Sequence, residues 1–362
     1  MNFYLNKYGF CPAHIDTLPH KGVKIIVVIP CFNETDLISS LAALKVCEQP
    51  QCNVEVITVI NAGTLYNDKL KNQNLKTLSK AENWANQNNS EELTFHFILN
   101  NELPKKHAGV GLARKIGMDE AVARFDSLGI DGTIVCFDAD SNCEPNYLVE
   151  IEKHFNTYPK TPGCSIHYEH PIEGTEFEQN IYDGIINYEL FLRYYNQALL
   201  YCGFPFAFQT VGSSMAVRSS VYQKQGGMNK RKAGEDFYFI HKIILLGGFT
   251  NLTTTKVIPS PRISDRVPFG TGKAIGDWIE SEADSYATYD IRIWHILKSF
   301  VDIIPTLQTD DFKTMPFLLP VSITELSCAV LSSLIKFATA TLPIKISGAM
   351  YNRELSLLGT KN

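Results

Sequence analysis

The chain has 362 residues, a formal net charge of −5, and 45% hydrophobic against 20% charged residues. This length is sufficient for one large domain plus an appendage. The acidic balance offers no basic surface, so no nucleic acid partner is expected. The 9 cysteines include no C-x-x-C pair, which indicates buried thiols in a reducing cytoplasm and not a disulfide framework.

Membrane association is predicted to be peripheral at most. The N-terminus lacks the basic segment and long apolar stretch of a signal peptide. The most apolar region, residues 315–344, is interrupted by charges and prolines and falls short of a membrane span. Its helical stripe of Leu326, Val330, Leu334 and Phe337 fits packing against the rest of the protein or contact with a membrane surface. We expect a cytoplasmic protein.

Strands and helices alternate along the first 140 residues. Buried strands are predicted at residues 24–30, 54–60, 94–99 and 133–137. A helix is predicted to begin at Asn33, with Asp36 as its capping-box partner. A polar helix follows the second strand, and residues 109–125 form another. This alternation predicts a largely parallel sheet.

The second half of the chain has a different pattern. The predicted elements are an aromatic-rich helix over 176–201, a strand near 208–217, a glycine turn at 226–227, a helix over about 236–246, a short strand near 253–258 and helices from 277 onward. A domain boundary is predicted near residue 275.

Two carboxylates follow the fourth predicted strand, in the run Asp138-Ala139-Asp140. In open α/β sheets, ligands bind outside the carboxyl ends of the strands. Two adjacent carboxylates repel each other unless a cation lies between them, and hard oxygen ligands suit Mg²⁺ or Mn²⁺. Such ions also hold substrate phosphates. The run therefore predicts a phosphate-linked metal site.

Other polar turns follow the neighbouring strands. The turn from Pro30 to Glu34 is either an ordinary strand-to-helix turn or the lining of a nucleotide pocket. Asn61 ends the second strand in a turn of small residues. Cations at 105–107 precede Gly109, whose helix start suits phosphate binding or close helix packing.

Four segments along the chain carry recognisable motifs. They are Pro30-Cys31-Phe32-Asn33-Glu34, the helix Gly109 to Gly117 containing Ala113-Arg114, the D-x-D run Asp138-Ala139-Asp140, and Gly226-Gly227 followed by Gly234-Glu235-Asp236. Over roughly residues 22–270 they resemble the inverting family-2 glycosyltransferases with a GT-A fold. The resemblance implies an α/β fold, a Rossmann-like mixed sheet flanked by helices. Residues 22–275 would form the catalytic domain, and 276–362 a helical C-terminal extension.

The resemblance also implies roles for the site residues. Asp140 would bind the divalent metal at the donor diphosphate, Asp138 would contact the nucleotide sugar or support the metal, and Asp236 would be the general base beside Glu235. The donor would be a nucleotide sugar, a UDP-sugar first among them, and the acceptor a glycan or lipid-linked hydroxyl. The residues expected to bind the donor are Pro30, Glu34, Asn61, Arg114, Asp138, Arg262 and Arg266.

A cationic segment at residues 260–273 contains arginines, glycines and prolines. Arginine suits bidentate phosphate contact, so this segment is interpreted as a mobile flap over the diphosphate or as a solvated loop. Asn61 departs from many relatives, which carry acidic residues at that strand end. This difference leaves the identity of the nucleotide open.

Two other functions fit part of the pattern. Haloacid-dehalogenase-like phosphatases also place D-x-D after a buried strand, although here the motif follows the fourth strand and Asn142 replaces the expected Thr or Val. A non-catalytic nucleotide-sugar-binding protein would account for Asn61. The pair Glu235-Asp236 is also typical of an acidic first helical turn.

Overall fold

The computed structural model describes residues 2–10, 13–264, 266, 269–281 and 286–303. These residues form two compact units. The larger contains residues 2–189 and 208–281, and the smaller contains residues 190–207 and 286–303. The predicted division between residues 275 and 276 stays a prediction.

An eight-stranded mixed β-sheet forms the centre of the larger unit in the described part of the chain. The strands are β1 (Val23–Cys31), β2 (Asn53–Gly63), β3 (Leu93–Leu103), β4 (Thr133–Cys136), β5 (Ser141–Cys143), β6 (Gly163–Tyr168), β7 (Met215–Arg218) and β8 (Thr250–Pro259). Their order is β3-β2-β1-β4-β7-β6-β8-β5. The first four run parallel, as predicted, whereas β7 is antiparallel to both of its neighbours.

Helices connect the parallel strands in turn. The described helices are α1 (Phe3–Tyr8), α2 (Leu37–Lys45), α3 (Asp68–Asn88), α4 (Val110–Leu128), α5 (Tyr147–Thr157), α6 (Gln179–Tyr201), α7 (Ser219–Lys224), α8 (Glu235–Ile244), α9 (Thr271–Ser281) and α10 (Ile291–Ile303). α2, α3 and α4 form the crossovers that parallel pairing requires. The expected fold class, a Rossmann-like mixed sheet flanked by helices, is confirmed.

Helix α4 is buried over most of its surface, including five of its charged residues: Arg114, Lys115, Asp119, Glu120 and Arg124. A buried charge is costly unless it is paired, and each of these has a partner. Lys115 Nζ lies 2.9 Å from Asp119, and the Glu120 carboxylate accepts a 2.7 Å bond from the backbone N–H of His14. Arg124 forms a two-pronged ion pair with Glu55 of β2, at 2.5 and 2.7 Å. The N-terminal segment and the sheet therefore hold α4 in one position.

The smaller unit is built around Trp294 of α10, which is buried. Its indole N–H donates a 2.9 Å hydrogen bond to the Tyr194 hydroxyl, which in turn donates to the Tyr289 carbonyl. The thiol of Cys202 donates to the Trp294 carbonyl at 3.2 Å. The aromatic residues predicted along α6 thus contribute to a packed core here.

The helix predicted to begin at Asn33 begins instead at Leu37, so the capping-box prediction was wrong. Asn33 is in the left-handed region with φ 49°, and within the described structure the Asp36 side chain makes no capping bond. The Glu34 carboxylate accepts from the backbone N–H of Thr35 at 3.0 Å instead. The Glu34 side chain therefore bonds the backbone of the turn itself, and the helix starts only after this turn.

The strand predicted near 208–217 is shorter than expected and extends over Met215–Arg218. The Gly212 carbonyl accepts a hydrogen bond from Arg114 and is not part of a ladder. The helices predicted from 277 onward begin earlier, at Thr271. The last residues of the predicted flap therefore form the first turn of α9.

Five elements were not predicted from the sequence, namely α1, β5, α5, β6 and α7.

None of the helices in the described part of the chain is both long and apolar enough to cross a membrane. The apolar region 315–344 and its helical stripe lie outside the described residues.

Helix α4 approaches the sheet closely at Gly117, and this contact generates a prediction. A Cβ at Gly117 would lie 2.5 Å from Val28 Cγ1 and 3.1 Å from Val59 Cγ2. Gly117→Ala is therefore expected to lower the free energy of unfolding by about 1–3 kcal/mol, measured by urea denaturation. The matched control is Gly276→Ala in α9, where the nearest atom to a new Cβ is 3.5 Å away. That variant should be neutral or more stable by up to about 1 kcal/mol. Equal stability of the two variants would contradict the close approach.

Candidate active site

The candidate site lies at the carboxyl ends of β1 and β4. These two strands pair in parallel as far as Val28 opposite Cys136, so the turns that follow them are neighbours. Glu34 belongs to the turn after β1, and Asp138 and Asp140 belong to the turn after β4. This is the edge of the sheet at which the sequence predicts ligand binding.

Arg114 of α4 organises one half of the site. Its side chain is only 2% exposed, and its Nη2 lies 3.0 Å from an oxygen of Asp138. Its Nε donates to Glu235 at 3.4 Å, and its Nη1 donates to the Gly212 carbonyl at 2.9 Å. One buried guanidinium thus joins the turn after β4, the loop before β7 and the start of α8.

Gly111 explains how α8 comes so close to α4. A Cβ at this position would overlap the Arg231 carbonyl and lie 3.0 Å from Glu235 Cβ. The second glycine of the Gly109-Val110-Gly111 run therefore serves close packing of α4 against α8. This contact places Glu235 beside Arg114.

The acidic pair at the start of α8 has two different environments. Glu235 is buried, whereas Asp236 is partly exposed. Burial raises the pKa of Glu235 to about 7, against the opposing charge of Arg114 and with the help of Asp236. Burial also raises the pKa of Asp236, opposed by a 2.7 Å hydrogen bond from the Phe237 N–H. Two neighbouring carboxylates next to one guanidinium can therefore retain a proton near neutral pH.

Arg262 organises the other half of the site. Its Nη1 and Nη2 donate to the two oxygens of Glu34 at 3.0 and 2.5 Å, and Nη2 also lies 2.6 Å from Asp140. Arg266 adds a 3.3 Å contact to Glu34. Within the described structure, the buried Nε of Arg262 has no hydrogen-bond partner.

The two carboxylates that contact Arg262 respond differently. For Glu34, burial would raise the pKa, but the hydrogen bonds and charges of Arg262 and Arg266 lower it overall. For Asp140, burial raises the pKa, and Asp138 and Glu34 add to this effect against the attraction of Arg262. Of these two carboxylates, Glu34 is consequently the one that pairs more strongly with Arg262.

Pro30 and Asn61 support the backbone of the site. Pro30 is buried within β1, opposite Val59. The Asn61 side-chain amide donates to the Cys31 carbonyl at 2.9 Å, and its own backbone carbonyl accepts a 2.8 Å bond from Asn74. These contacts join the ends of β1 and β2. A direct role of either residue in donor binding stays a prediction.

Metal binding depends on the donor set at the D-x-D run. No group of three or more His, Cys, Asp or Glu side chains within the described ranges is arranged to hold a metal ion. Asp138 and Asp140 remain 36% and 31% exposed while each contacts an arginine. Mg²⁺ is commonly held by one or two carboxylates together with substrate phosphates and water. The two carboxylates fit that kind of metal site and not an all-protein cage.

Two residues that position the site were not recognised in the sequence. Asn74 of α3 is fully buried and bonds the Asn33 N–H, the Asn61 carbonyl and the Asn101 side chain. Gly212 supplies the carbonyl that fixes Arg114. Asn74 belongs to a polar helix whose buried residues, Asn74, Thr77, Ala81 and Ala85, include no large apolar side chain, so no clear sequence signal separated it from its exposed neighbours.

No protein-family model and no curated protein sequence matches the chain. Among solved structures, S. aureus TarS residues 1-349 aligns with 86% of this chain and 78% of that chain, at 14% identity and a TM-score of 0.44. The same TarS fragment in complex with UDP-GlcNAc aligns with 88% of this chain and 81% of that chain, at 14% identity and a TM-score of 0.46. At these values the likeness carries no argument about function.

The raised pKa of Glu235 generates a prediction about stability and pH. The carboxyl loses its proton near pH 4.5 when unfolded and near pH 7 when folded, so the folded state binds more protons between these values. Stability should therefore fall as pH rises through this window, by up to about 3 kcal/mol. Glu235→Gln should reduce this loss in denaturation curves measured at several pH values. The exposed control Glu178→Gln should keep the wild-type slope, and an unchanged slope in Glu235→Gln would contradict the assignment.

Proposed function

We propose that this protein is a metal-assisted, inverting glycosyltransferase that moves a sugar from a nucleotide-diphosphate sugar to an acceptor hydroxyl. The observation that carries the proposal is the meeting of two arginine–carboxylate clusters at the carboxyl ends of β1 and β4. One cluster contains Arg262, Glu34 and Asp140, and the other contains Arg114, Asp138 and the acidic pair of α8. The sequence resemblance independently assigns these residues to the donor and acceptor sides of one reaction.

The Arg262 cluster has the chemistry of a diphosphate site. A planar guanidinium binds phosphate oxygens in a bidentate manner. Among the described residues, the Nε of Arg262 has no hydrogen-bond partner, and Arg266 contacts the same Glu34 carboxylate. When the donor diphosphate arrives, Arg262 would exchange a carboxylate contact for phosphate and release Asp140. A divalent metal, held by Asp140 with Asp138, would neutralise charge on the leaving diphosphate.

The Arg114 cluster has the chemistry of a proton-accepting site. Asp236 is the more exposed carboxylate of the pair, so it is the one that an acceptor hydroxyl can reach. Glu235 is buried behind it against Arg114 and keeps that guanidinium in place. The raised pKa of Asp236 makes it a stronger base than an ordinary carboxylate. We therefore assign Asp236 as general base and Glu235 as a positioning residue.

The proposed substrates are a nucleotide-sugar donor and a hydroxyl-bearing acceptor. UDP-sugars are the first donors to test, as the sequence resemblance implies. A glycan or lipid-linked hydroxyl is the acceptor class that the resemblance suggests. A cytoplasmic enzyme, either free or in peripheral contact with a membrane, would meet both substrates.

The proposed metal site predicts the effect of Asp140→Asn on donor binding. Removing this charge should weaken binding of the best nucleotide sugar at least about tenfold, the loss of one favourable charge contact. It should also abolish the increase in affinity that Mn²⁺ gives the wild type. Calorimetric titration of UDP-, GDP- and dTDP-sugars with Mn²⁺ or with EDTA measures both effects. The exposed control Asp68→Asn should bind as wild type. If wild type and Asp140→Asn bind equally well in EDTA and in Mn²⁺, the metal assignment is wrong.

The proposed base predicts the effect of Asp236→Asn on turnover. Loss of a general base typically lowers the rate by ~10²–10⁴-fold and leaves ground-state binding largely intact. Asp236→Asn should thus bind donor and Mn²⁺ nearly as wild type while transferring sugar slowly, and Glu235→Gln should lose less activity. Steady-state kinetics with an identified donor and acceptor, beside calorimetric donor binding, test this. Near-normal turnover in Asp236→Asn would exclude it as the base.

A further inference from the structure

Two thiols outside the candidate site lie unusually close together. Cys47 Sγ and Cys143 Sγ are 3.6 Å apart although 96 positions separate them in the sequence. Both residues are partly exposed, whereas the other cysteines of the described ranges are buried.

The backbone holds the two segments together independently of the thiols. The N–H of Glu48 donates a 2.7 Å hydrogen bond to the Pro145 carbonyl. Cys143 is the last residue of β5, where it pairs with Val257 of β8. Cys47 lies two residues beyond the end of α2. The proximity of the sulfurs therefore follows from regular structure on both sides.

These segments are the same ones that carry two carboxylates of the candidate site. Glu34 lies in the turn that leads into α2, and Asp140 immediately precedes β5. Arg262 bridges the two carboxylates at one end of this pair of segments. The two thiols meet at the other end. A covalent link there would restrain the spacing between Glu34 and Asp140.

We propose that Cys47 and Cys143 form a reversible disulfide, which makes them a redox-sensitive modification site. With oxidised glutathione as oxidant, the Cys47 thiolate attacks one sulfur of the glutathione disulfide and expels one glutathione thiolate. The Cys143 thiolate then attacks Cys47 Sγ of the mixed disulfide and expels the second. Two protein thiols are oxidised to one disulfide, one glutathione disulfide is reduced to two thiols, and the two protons end on the glutathione sulfurs.

The surroundings of the two thiols favour Cys47 as the first nucleophile. The hydrogen bond from Cys143 lowers the pKa of the Cys47 thiol, and backbone N–H groups of the α5 start contribute in the same direction. The hydrogen bond to Cys47, together with burial, raises the pKa of Cys143. A disulfide needs the sulfurs to approach to about 2.05 Å, a movement that side-chain rotation can supply when the backbones are already adjacent. This proposal does not depend on the proposed function.

The direct test is peptide mapping of the full chain after incubation with oxidised glutathione. The expected product has lost two hydrogen atoms and contains a linked peptide pair, Cys47 with Cys143, that dithiothreitol separates. Cys143→Ser removes the resolving thiol, so it should instead retain one glutathione on Cys47. The buried control Cys164→Ser should form the same link as wild type. Wild-type protein that keeps both thiols reduced, or keeps glutathione on Cys47, would overturn the proposal.

Amide hydrogen exchange tests whether the link restrains the site. Exchange at residues 46–48 and 140–143 should slow after oxidation of wild type and return on reduction, whereas Cys143→Ser should show no change. The thermal midpoint should rise with the linked fraction, because the closed loop is long. If the link forms and exchange at these residues is unchanged, the restraint of the Glu34–Asp140 spacing is excluded.

Discussion

The site depends on the pairing of a buried guanidinium, that of Arg114. A charge taken out of water must be met by opposite charge and hydrogen-bond acceptors, or the folded state loses several kcal/mol. Arg114 meets this requirement with Asp138, Glu235 and the Gly212 carbonyl. These partners come from three segments far apart in the sequence. The positions of the turn after β4, the loop before β7 and the start of α8 are therefore linked through one side chain.

A second guanidinium, that of Arg262, joins the turn after β1 to the turn after β4 in the same manner. A single residue separates Asp138 from Asp140, and each of the two forms an ion pair with a different arginine. The D-x-D run thus lies between the proposed diphosphate site around Arg262 and the acidic pair beside Arg114. The two halves share one short turn, so a ligand bound by one half would lie next to the other.

The parallel half of the fold was predictable because its strands are buried apolar runs separated by long helices. Glu34, Asp138 and Asp140 could be proposed from the sequence because they follow the ends of apolar strands, and their roles stay predictions. The elements that were missed, such as β5 and β6, are short and are defined by pairing with distant strands. The true start of α2 at Leu37 was hidden because Glu34 bonds the preceding turn. The roles of Asn61 and Asn74 depend on which neighbours the fold brings to them, which their residue types do not specify.

The central claim is that a nucleotide diphosphate binds at the carboxyl ends of β1 and β4. It is tested most directly by NMR mapping of amide shifts in deuterated protein during titration with UDP, GDP or dTDP in the presence of Mg²⁺. The account predicts, for at least one nucleotide, saturable shifts concentrated in residues 31–36, 61–64, 138–141 and 260–264. Saturable shifts confined to another region, such as the N-terminal segment packed on α4, would contradict it, as would no saturable shift with any of the three nucleotides.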